Sequence, residues 1–216
     1  MRALAAELIG TFALVFAGAG AIMVDDKTHQ LGHVGVAIAF GLVIMVMIYA
    51  VGHVSGAHFN PAVSFAFALT RHFSWTRMLG YWAAQVSGAL IAAAILRGSL
   101  GNRAHVGATL PAGSQAQAFL WEVVLTFFLM FVIMSVATDT RAVGEAAAIA
   151  IGGTVGLDAM FGGPVTGASM NPARSLGPAL VSGDLHALWL YIVAPLVGAA
   201  IGGVAYQFVR REAVIA

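Results

Sequence analysis

An Asn-Pro-Ala motif occurs twice in this chain, 111 residues apart, and it constrains the fold more than any other feature. The first copy lies within residues 55–64 (SGAHFNPAVS) and the second within residues 166–175 (TGASMNPARS). Asn is a preferred helix N-cap, and Pro is tolerated at the first helical position. Each copy therefore predicts a short helix, one from Pro61 to about Leu69 and one from Pro172 to about Val181. Two copies with aligned flanks predict an internal repeat.

Composition places this repeat in a membrane. The chain is 60% hydrophobic and 9% charged, with a mean hydropathy of +0.92, whereas a soluble domain carries roughly 25% charged residues. The absence of cysteine excludes disulfides, thiolate metal sites and cysteine catalysis. A net charge of +1 gives no case for nucleic-acid binding. The first apolar segment carries Glu7 and lacks a cleavage site, so it is interpreted as a first span rather than a signal peptide.

Six apolar stretches approach the roughly 20 residues needed to cross a bilayer. Their predicted limits are Leu4–Val24, Val34–Val51, Met78–Leu96, Ala118–Ala137, Ala146–Met160 and Leu188–Val209. The two Asn-Pro-Ala segments fall between spans two and three and between spans five and six. They are too short to span and too apolar for solvent loops. Because non-helical backbone at membrane depth must be buried in protein or line a wet cavity, both are predicted to be re-entrant half-helices.

The repeat extends into the spans, and the number of spans in each half determines the topology. Glu7 begins a Glu-x-x-x-Thr-Phe pattern that recurs at Glu122, and residues 81–88 match residues 191–198. Each half thus holds three spans and one half-helix, so the second half enters the membrane inverted. The predicted fold is an all-α membrane protein with six transmembrane helices and two re-entrant half-helices in an inverted repeat. Residues 1–216 form one channel domain, with halves of about 1–110 and 111–216.

Positive charges predict the orientation. Most arginines fall on one side of the predicted membrane: Arg2, Arg71, Arg77, Arg141, Arg210 and Arg211. The other side carries Lys27, Arg97 and Arg103, together with Asp25, Asp26 and Asp184. By the positive-inside rule both termini are cytoplasmic. Small residues at four-residue spacing also predict close helix crossing: Gly80, Ala84 and Gly88 in span three, and Ala194, Gly198 and Gly202 in span six.

Two re-entrant Asn-Pro-Ala helices, six inverted spans and one Glu in each half resemble the aquaporin family, also called major intrinsic proteins. Four stretches are most similar to the nodulin-like intrinsic proteins of plants and their bacterial relatives: SGAHFNPAV, RHFSW with GYWAAQ, ATDTRAVGE and GASMNPARSLGPAL. The resemblance implies a channel for glycerol, urea and undissociated metalloid acids such as arsenite, boric acid and silicic acid. It also implies a homotetramer in the cell inner (plasma) membrane, with one pore per subunit and no cofactor or metal.

The paired motifs supply the first candidate pore residues: Asn60, Pro61, Ala62, Asn171, Pro172 and Ala173. In the functional interpretation, the two Asn side-chain amides donate to passing oxygens at the midplane. In the simpler interpretation they only cap their helices, and both roles can hold together. Two converging positive dipole ends would also oppose cations and interrupt a proton wire.

Arg174 breaks the repeat, because the matching residue in the first half is Val63. An Arg within the membrane is costly and by default functional, although it could instead reach an interface. The resemblance places Arg174 in an outer constriction with Phe40, Ala159 and Ala168. Water-selective family members have His at the position of Ala159, so the resemblance implies a wider opening here.

Other ionisable residues keep two interpretations each. Glu7 and Glu122 either relay protons or, as the resemblance implies, accept hydrogen bonds from the backbone of their re-entrant loops. His58 and His53 either line the cytoplasmic approach to the pore or are structural. Asp158 either lies in an outer vestibule or faces headgroups.

Other function classes find less support in the residues. An intramembrane hydrolase needs an activated nucleophile, and Ser55, although near two histidines, matches Thr166 in the second half as a structural position. Metal ligands are not clustered, and no phosphate-binding loop follows a strand. An ion-coupled transporter would need a chain of acids or bases inside the bundle. The main alternative is a water-selective aquaporin with little solute flux.

Overall fold

The computed structural model describes residues 1–139 and 146–210, and the regular elements within these ranges are all helices. Every long helix is apolar, and two short helices begin at the Asn-Pro-Ala motifs. In chain order the helices are α1 (Arg2–Thr28), α2 (Gly32–Ser55), α3 (Pro61–Leu69), α4 (Trp75–Leu100), α5 (Ala104–Gly107), α6 (Gln115–Thr138), α7 (Ala147–Thr166), α8 (Pro172–Ser182) and α9 (Leu188–Arg210).

Six of these helices are long and apolar enough to cross a membrane: α1, α2, α4, α6, α7 and α9. Each has at least 20 residues, the length that a bilayer core requires. The prediction of six spans is therefore confirmed, although most helices extend a few residues beyond the predicted limits. The largest difference is at the fifth span, which was predicted to end at Met160 but continues to Thr166. The helix runs on past Asp158, which is buried inside the protein.

The two half-helices lie where the motifs predicted them. Helix α3 has the predicted limits, and α8 ends one residue later than predicted, at Ser182. In both helices Pro occupies the first turn, where its missing N–H leaves no hydrogen bond unmade. The residue that follows α8, Gly183, adopts the left-handed conformation (φ 84°) that commonly terminates helices.

Close helix crossing also repeats between the two halves. A Cβ atom added at Gly88 of α4 would lie 2.3 Å from the carbonyl oxygen of Leu8 in α1. At Gly198 of α9 the same atom would lie 2.3 Å from the carbonyl oxygen of Val123 in α6. The predicted small-residue crossings are therefore confirmed at these two positions. They bring each first helix of a half against its third, which leaves the centre of the bundle for the half-helices.

The chain order defines two faces of the bundle. We call the face that holds the end of α2 and the start of α4 the α3 side, and the opposite face, at the ends of α1 and α7, the α8 side. The described arginines Arg2, Arg71, Arg77 and Arg210 fall on the α3 side, as the charge pattern predicted. Arg141, Arg211 and most of the ATDTRAVGE stretch lie outside the described residues.

Candidate conduction pore

The two Asn residues cap the two half-helices. Asn60 Oδ1 accepts a hydrogen bond from the backbone N–H of Ala62 at 2.9 Å. Asn171 Oδ1 accepts from the backbone N–H groups of Ala173 at 3.0 Å and Arg174 at 3.2 Å. Capping satisfies N–H groups that a helix start otherwise leaves unbonded. The capping interpretation of both residues therefore holds.

The same two side chains also join the halves of the molecule. Asn60 Nδ2 donates to the carbonyl oxygen of Met170 at 2.7 Å, and Asn171 Nδ2 donates to the carbonyl oxygen of Phe59 at 2.9 Å. A side-chain amide nitrogen carries two hydrogens, so each Asn retains one after this bond. Both Asn residues line the central cavity described below. Their second hydrogens can therefore be offered to a molecule in that cavity.

Unusual backbone conformations precede each half-helix, and they repeat at equivalent positions. Positive φ angles occur at Gly56 (87°) and Gly167 (82°), at Ala57 (50°) and Ala168 (42°), and at Phe59 (49°) and Met170 (53°). A non-glycine residue held in this region costs about 1–3 kcal/mol and persists only where surrounding contacts determine it. The approach loops must therefore be fixed from outside.

A buried carboxylate fixes the first loop. Glu7 Oε1 accepts from Ser55 Oγ at 2.7 Å and from the backbone N–H of His58 at 2.9 Å. Its Oε2 accepts from the backbone N–H of Phe59 at 2.7 Å and from Gln85 Nε2 at 2.8 Å. The side chain is fully buried. Four donors around one carboxylate hold this loop without needing the group to exchange a proton.

Glu122 makes the equivalent contacts in the second half with one donor fewer. Its Oε1 accepts from Thr166 Oγ1 and from the backbone N–H of Ser169, both at 2.8 Å. Its Oε2 accepts from the backbone N–H of Met170 at 2.8 Å. The position that matches Gln85 in the repeat is Pro195, which has no donor to offer.

Three supporting residues were not singled out in the sequence. Tyr81 and Tyr191 donate their hydroxyls to the carbonyl oxygens of Ser55 and Thr166, each at 2.7 Å. Gln85 bonds Glu7 as described. The match between residues 81–88 and 191–198 contained the signal for the two tyrosines, because both occupy the same position in the repeat.

Arg174 is buried on the α8 side of the junction. The residue is 1% exposed, and its Nη1 donates to the carbonyl oxygen of Gly107 at 2.8 Å. Its guanidinium carbon lies 5.0 Å from the centre of the Phe40 ring, which is cation–π distance. Nε and Nη2 have no hydrogen-bond partner among the described residues. Arg174 therefore combines a fixed position with two buried donors that remain to be used.

Three of the four predicted constriction residues pack together, and one of them contacts the guanidinium. Phe40, Ala159 and Ala168 belong to one buried cluster, and Phe40 and Ala159 line a cavity of about 270 Å³ on the α8 side. We call this cavity the α8-side vestibule. Two of the four residues have only a methyl side chain, and the other two, Phe40 and Arg174, contact each other. The lining of the vestibule is therefore mostly apolar and small.

His33 also lines the α8-side vestibule, although it belongs to none of the motifs or repeats in the sequence. Its Nε2 lies 2.7 Å from the carbonyl oxygen of Met160. A carbonyl can only accept, so Nε2 carries the hydrogen, and Nδ1 of the neutral ring is an acceptor. His33 thus gives an acceptor to a vestibule whose other lining side chains are apolar.

The central cavity, of about 70 Å³, is lined by the two Asn residues and extends from them toward the α3 side. Its lining is mostly apolar and includes Val63, Phe67 and Ile133, with His58 as a polar member. His58 Nδ1 lies 2.9 Å from Ser64 Oγ, and the ring packs 4.9 Å from the ring of Phe67. His58 is therefore both held in place and part of the lining.

Two other candidates lie elsewhere. His53 is exposed in the last turn of α2 and is not among the residues that line either cavity. Asp158 was expected in a vestibule or at the headgroups, and both expectations are wrong. It is 1% exposed, and its Oδ2 has no partner among the described residues. The side chain is buried because α7 continues past it for eight residues.

The residues that the structure describes contain no group of three or more possible metal ligands.

The half-helices add an electrostatic component. The N-terminus of each helix carries roughly half a positive charge, and the hydrogen bonds between Asn60 and Met170 and between Asn171 and Phe59 bring the two N-termini together. Arg174 adds a full charge nearby. A path through the two cavities would therefore meet positive potential at the junction and beside it.

Cavities on both sides of two converging half-helices, inside six inverted spans, define a membrane channel. The comparisons with known proteins agree with this class. A family model described as major intrinsic protein matches residues 1–206. The chain belongs to the major intrinsic protein, or aquaporin, family, whose channels pass water and small solutes.

Individual members of the family show which proteins this chain is similar to. The chain is 53% identical to aquaporin NIP1-1 of Oryza sativa subsp. japonica over 207 residues, which are 95% of this chain and 73% of the relative. It is 50% identical to nodulin-26 of Glycine max over 212 residues, 97% of this chain and 78% of that one. Among solved structures, the aquaglyceroporin from Plasmodium falciparum matches with a TM-score of 0.84, 27% identity and 95% coverage of both chains.

Proposed function

We propose that this protein is a passive channel for small uncharged solutes as well as water. The solutes are undissociated metalloid acids, such as silicic acid, boric acid and arsenite, together with glycerol and urea. Ions and protons are excluded. The observation that carries the proposal is the constriction, in which the methyl side chains of Ala159 and Ala168 pack with Phe40, and Phe40 in turn contacts Arg174, two of whose donors are unpaired among the described residues.

The chemistry of these solutes suits that opening. A solute that crosses must replace the hydrogen bonds it loses with water, or meet the cost of unpaired polar atoms. Arg174 Nε and Nη2 offer two donors to hydroxyl oxygens, and the Phe40 ring accepts the apolar or flat side of the solute. Ala159, where a larger side chain would narrow the opening, supplies the space. The names of the relatives, nodulin-like aquaporins and an aquaglyceroporin, agree with solute passage.

The exclusion of charge follows from the junction. Two helix N-termini and Arg174 give positive potential where a cation would have to be stripped of water. A water molecule at the junction that accepts hydrogen bonds from both Asn amides uses both of its lone pairs. It cannot also accept a hydrogen bond from a neighbouring water, so the chain of waters that would carry a proton is broken there. Anions meet the apolar cavity on the α3 side, which has few groups to replace their hydration.

The assembly and orientation are parts of the same proposal. We place the protein in the cell inner (plasma) membrane with both termini in the cytoplasm, because the α3 side carries most of the arginines. Large apolar residues are exposed on all six membrane-spanning helices, and four copies, with one pore in each, would cover part of this surface. Residues 1–216 act as one channel domain whose two repeat halves each supply half of the pore.

A stopped-flow comparison in one liposome preparation tests the proposal. Water, glycerol, boric acid and arsenite permeabilities are measured with and without protein, at equal lipid and equal vesicle size. The proposal expects all four to exceed the protein-free values. High water permeability with glycerol, boric acid and arsenite at the protein-free values would instead establish a water-selective channel.

A further inference from the structure

The carbonyl group that holds Arg174 belongs to an unusual stretch of backbone. Gly107 lies in α5, and four consecutive residues there have positive φ angles: Ala104 (42°), His105 (49°), Val106 (58°) and Gly107 (70°). L-amino acids rarely adopt this conformation, and runs of them almost never do. Local sequence preference cannot produce it. The contacts of this segment with the rest of the protein must therefore hold it in place.

Buried contacts hold the end of the segment that faces the pore. Val106 is fully buried in a cluster with Ala19 and Ala173. Gly107 approaches α1 so closely that a Cβ atom would lie 2.8 Å from the carbonyl oxygen of Ala19. Beyond it, Thr109 Oγ1 lies 2.7 Å from Ser175 Oγ of α8.

One side-chain pair ties the outer part of the segment to the turn that follows α8, the helix that carries Arg174. His105 Nδ1 lies 3.0 Å from Asp184 Oδ2. Asp184 is itself held, because its Oδ1 accepts from the backbone N–H of His186 at 3.0 Å and its own N–H donates to Ser182 Oγ at 3.2 Å. The pair therefore joins the two segments whose relative position sets the bond between Arg174 and Gly107. The other outer contact, Arg103 with Asp26 at 3.6 Å, ties the segment to α1 instead.

We propose that His105 and Asp184 are positioning residues for Arg174. They act through the left-handed segment, by keeping the Gly107 carbonyl oxygen against the guanidinium, and they touch no solute themselves. Without the pair, the outer residues Ala104 and His105, which the buried contacts of the segment do not hold, relax toward ordinary backbone conformations, and their shift turns the Gly107 carbonyl away from the guanidinium. Arg174 then loses the one described acceptor of its guanidinium and moves into the opening. Bulky solutes are affected more than water. This inference rests on the proposed role of Arg174 in the constriction.

The test measures the ratio of glycerol to water permeability in liposomes. We expect His105→Ala and Asp184→Ala each to lower this ratio at least threefold, with a melting temperature close to that of the unchanged protein. His105→Gln, whose amide can still donate to Asp184, should recover most of the ratio. His186→Ala is the matched control, because its exposed side chain is removed while the backbone N–H that bonds Asp184 remains. The double variant should equal either single variant, since the two residues act as one pair.

Arg174 variants separate this inference from the proposed function. Arg174→Val should change the glycerol-to-water ratio, and adding His105→Ala to it should change nothing further. Arg174→Lys serves the same purpose if the Val variant does not assemble. A ratio unaffected by either Arg174 variant would refute the proposed constriction. A ratio changed by Arg174 variants but unaffected by His105→Ala, or lowered by His105→Ala equally in both backgrounds, would refute the positioning role alone.

Discussion

Asn60 donates to the carbonyl oxygen of Met170 at 2.7 Å, across the junction between the two halves of the chain. Asn171 returns an equivalent bond to Phe59. Each Asn thus caps its own half-helix with its oxygen and bonds the opposite loop with its nitrogen. Both positions need Asn, because its oxygen accepts from the half-helix and its nitrogen donates across the junction. Asp has no such donor, and the Ser side chain is too short to reach the opposite loop.

Replacing Asn60 by Ser separates these functions. A Ser hydroxyl can still cap α3, but it is too short to reach Met170, whose carbonyl is then unpaired at a cost of about 1–3 kcal/mol. We expect a lower melting temperature and reduced solute flux. Asn60→Ala, which also removes the cap, should lose about 1 kcal/mol more. Thermal unfolding in detergent checks the order, and Asn60→Ser melting like the unchanged protein would contradict the cross-junction role.

The two buried carboxylates should respond differently to the same change. In Glu7→Gln, the new amide faces the N–H of Phe59, but it can still donate to Gln85 if that side chain turns its unpartnered Oε1 inward. Glu122→Gln has no such neighbour and sets its amide against the N–H of Met170. We therefore expect Glu7→Gln to be milder than Glu122→Gln, and Leu at either position to be worse, at about 1–3 kcal/mol for each unpaired donor.

Thermal unfolding and solute flux measured on the same samples check this order. The result that would count against a bracing role is specific. If either Gln variant abolished transport while assembly and melting temperature stayed unchanged, exchange of a proton by the carboxylate would have to be considered again.

Helix crossing gives a stability prediction with an internal control. Gly88→Ala puts a methyl group 2.3 Å from the backbone of α1, so the two helices must separate. We expect a loss of about 1–3 kcal/mol, as for other overpacked sites. Gly98 lies on the same helix with nothing within 4 Å of an added Cβ atom. Gly98→Ala should therefore be neutral or stabilising by about 0.5–1 kcal/mol. Equal melting temperatures for the two variants would show that the crossing can adapt.

The electrostatic argument predicts that the channel carries solutes but no current. With two helix N-termini and Arg174 beside the path, protons and cations should cross no faster than they cross lipid. Pyranine-loaded liposomes report proton entry, and planar bilayers report ion current. Gramicidin in the same lipids is the positive control. A current that rises with the amount of protein and is blocked together with solute flux would contradict the argument.

The parts of this fold that were predictable are those determined locally. Asn60 and Asn171 identified the half-helices because capping depends on one residue and its immediate neighbours. Glu7 and Glu122 were found because the repeat marks them. His105 could not be predicted in a left-handed conformation, since tertiary contacts override its preference.

Asp158 was predicted wrongly. A carboxylate near the end of a predicted span was expected in a vestibule or at the headgroups, yet the helix continues past it and buries it. His33 gave no periodic or repeat signal, because its role depends on the distant carbonyl of Met160. Residues placed by contacts between distant segments are the ones that a single sequence does not reveal.

Ala159→His tests the central claim most directly. An imidazole at this position would narrow the opening beside Phe40 and add a donor suited to water. Water, glycerol and boric acid permeabilities are measured in the same liposomes for the unchanged protein, Ala159→His and Ala159→Val, where Val narrows the opening without adding a donor. We predict that Ala159→His lowers glycerol and boric acid permeability at least tenfold while largely keeping water permeability. Solute permeability unchanged in Ala159→His would contradict the account, because Ala159 would then not lie at the constriction.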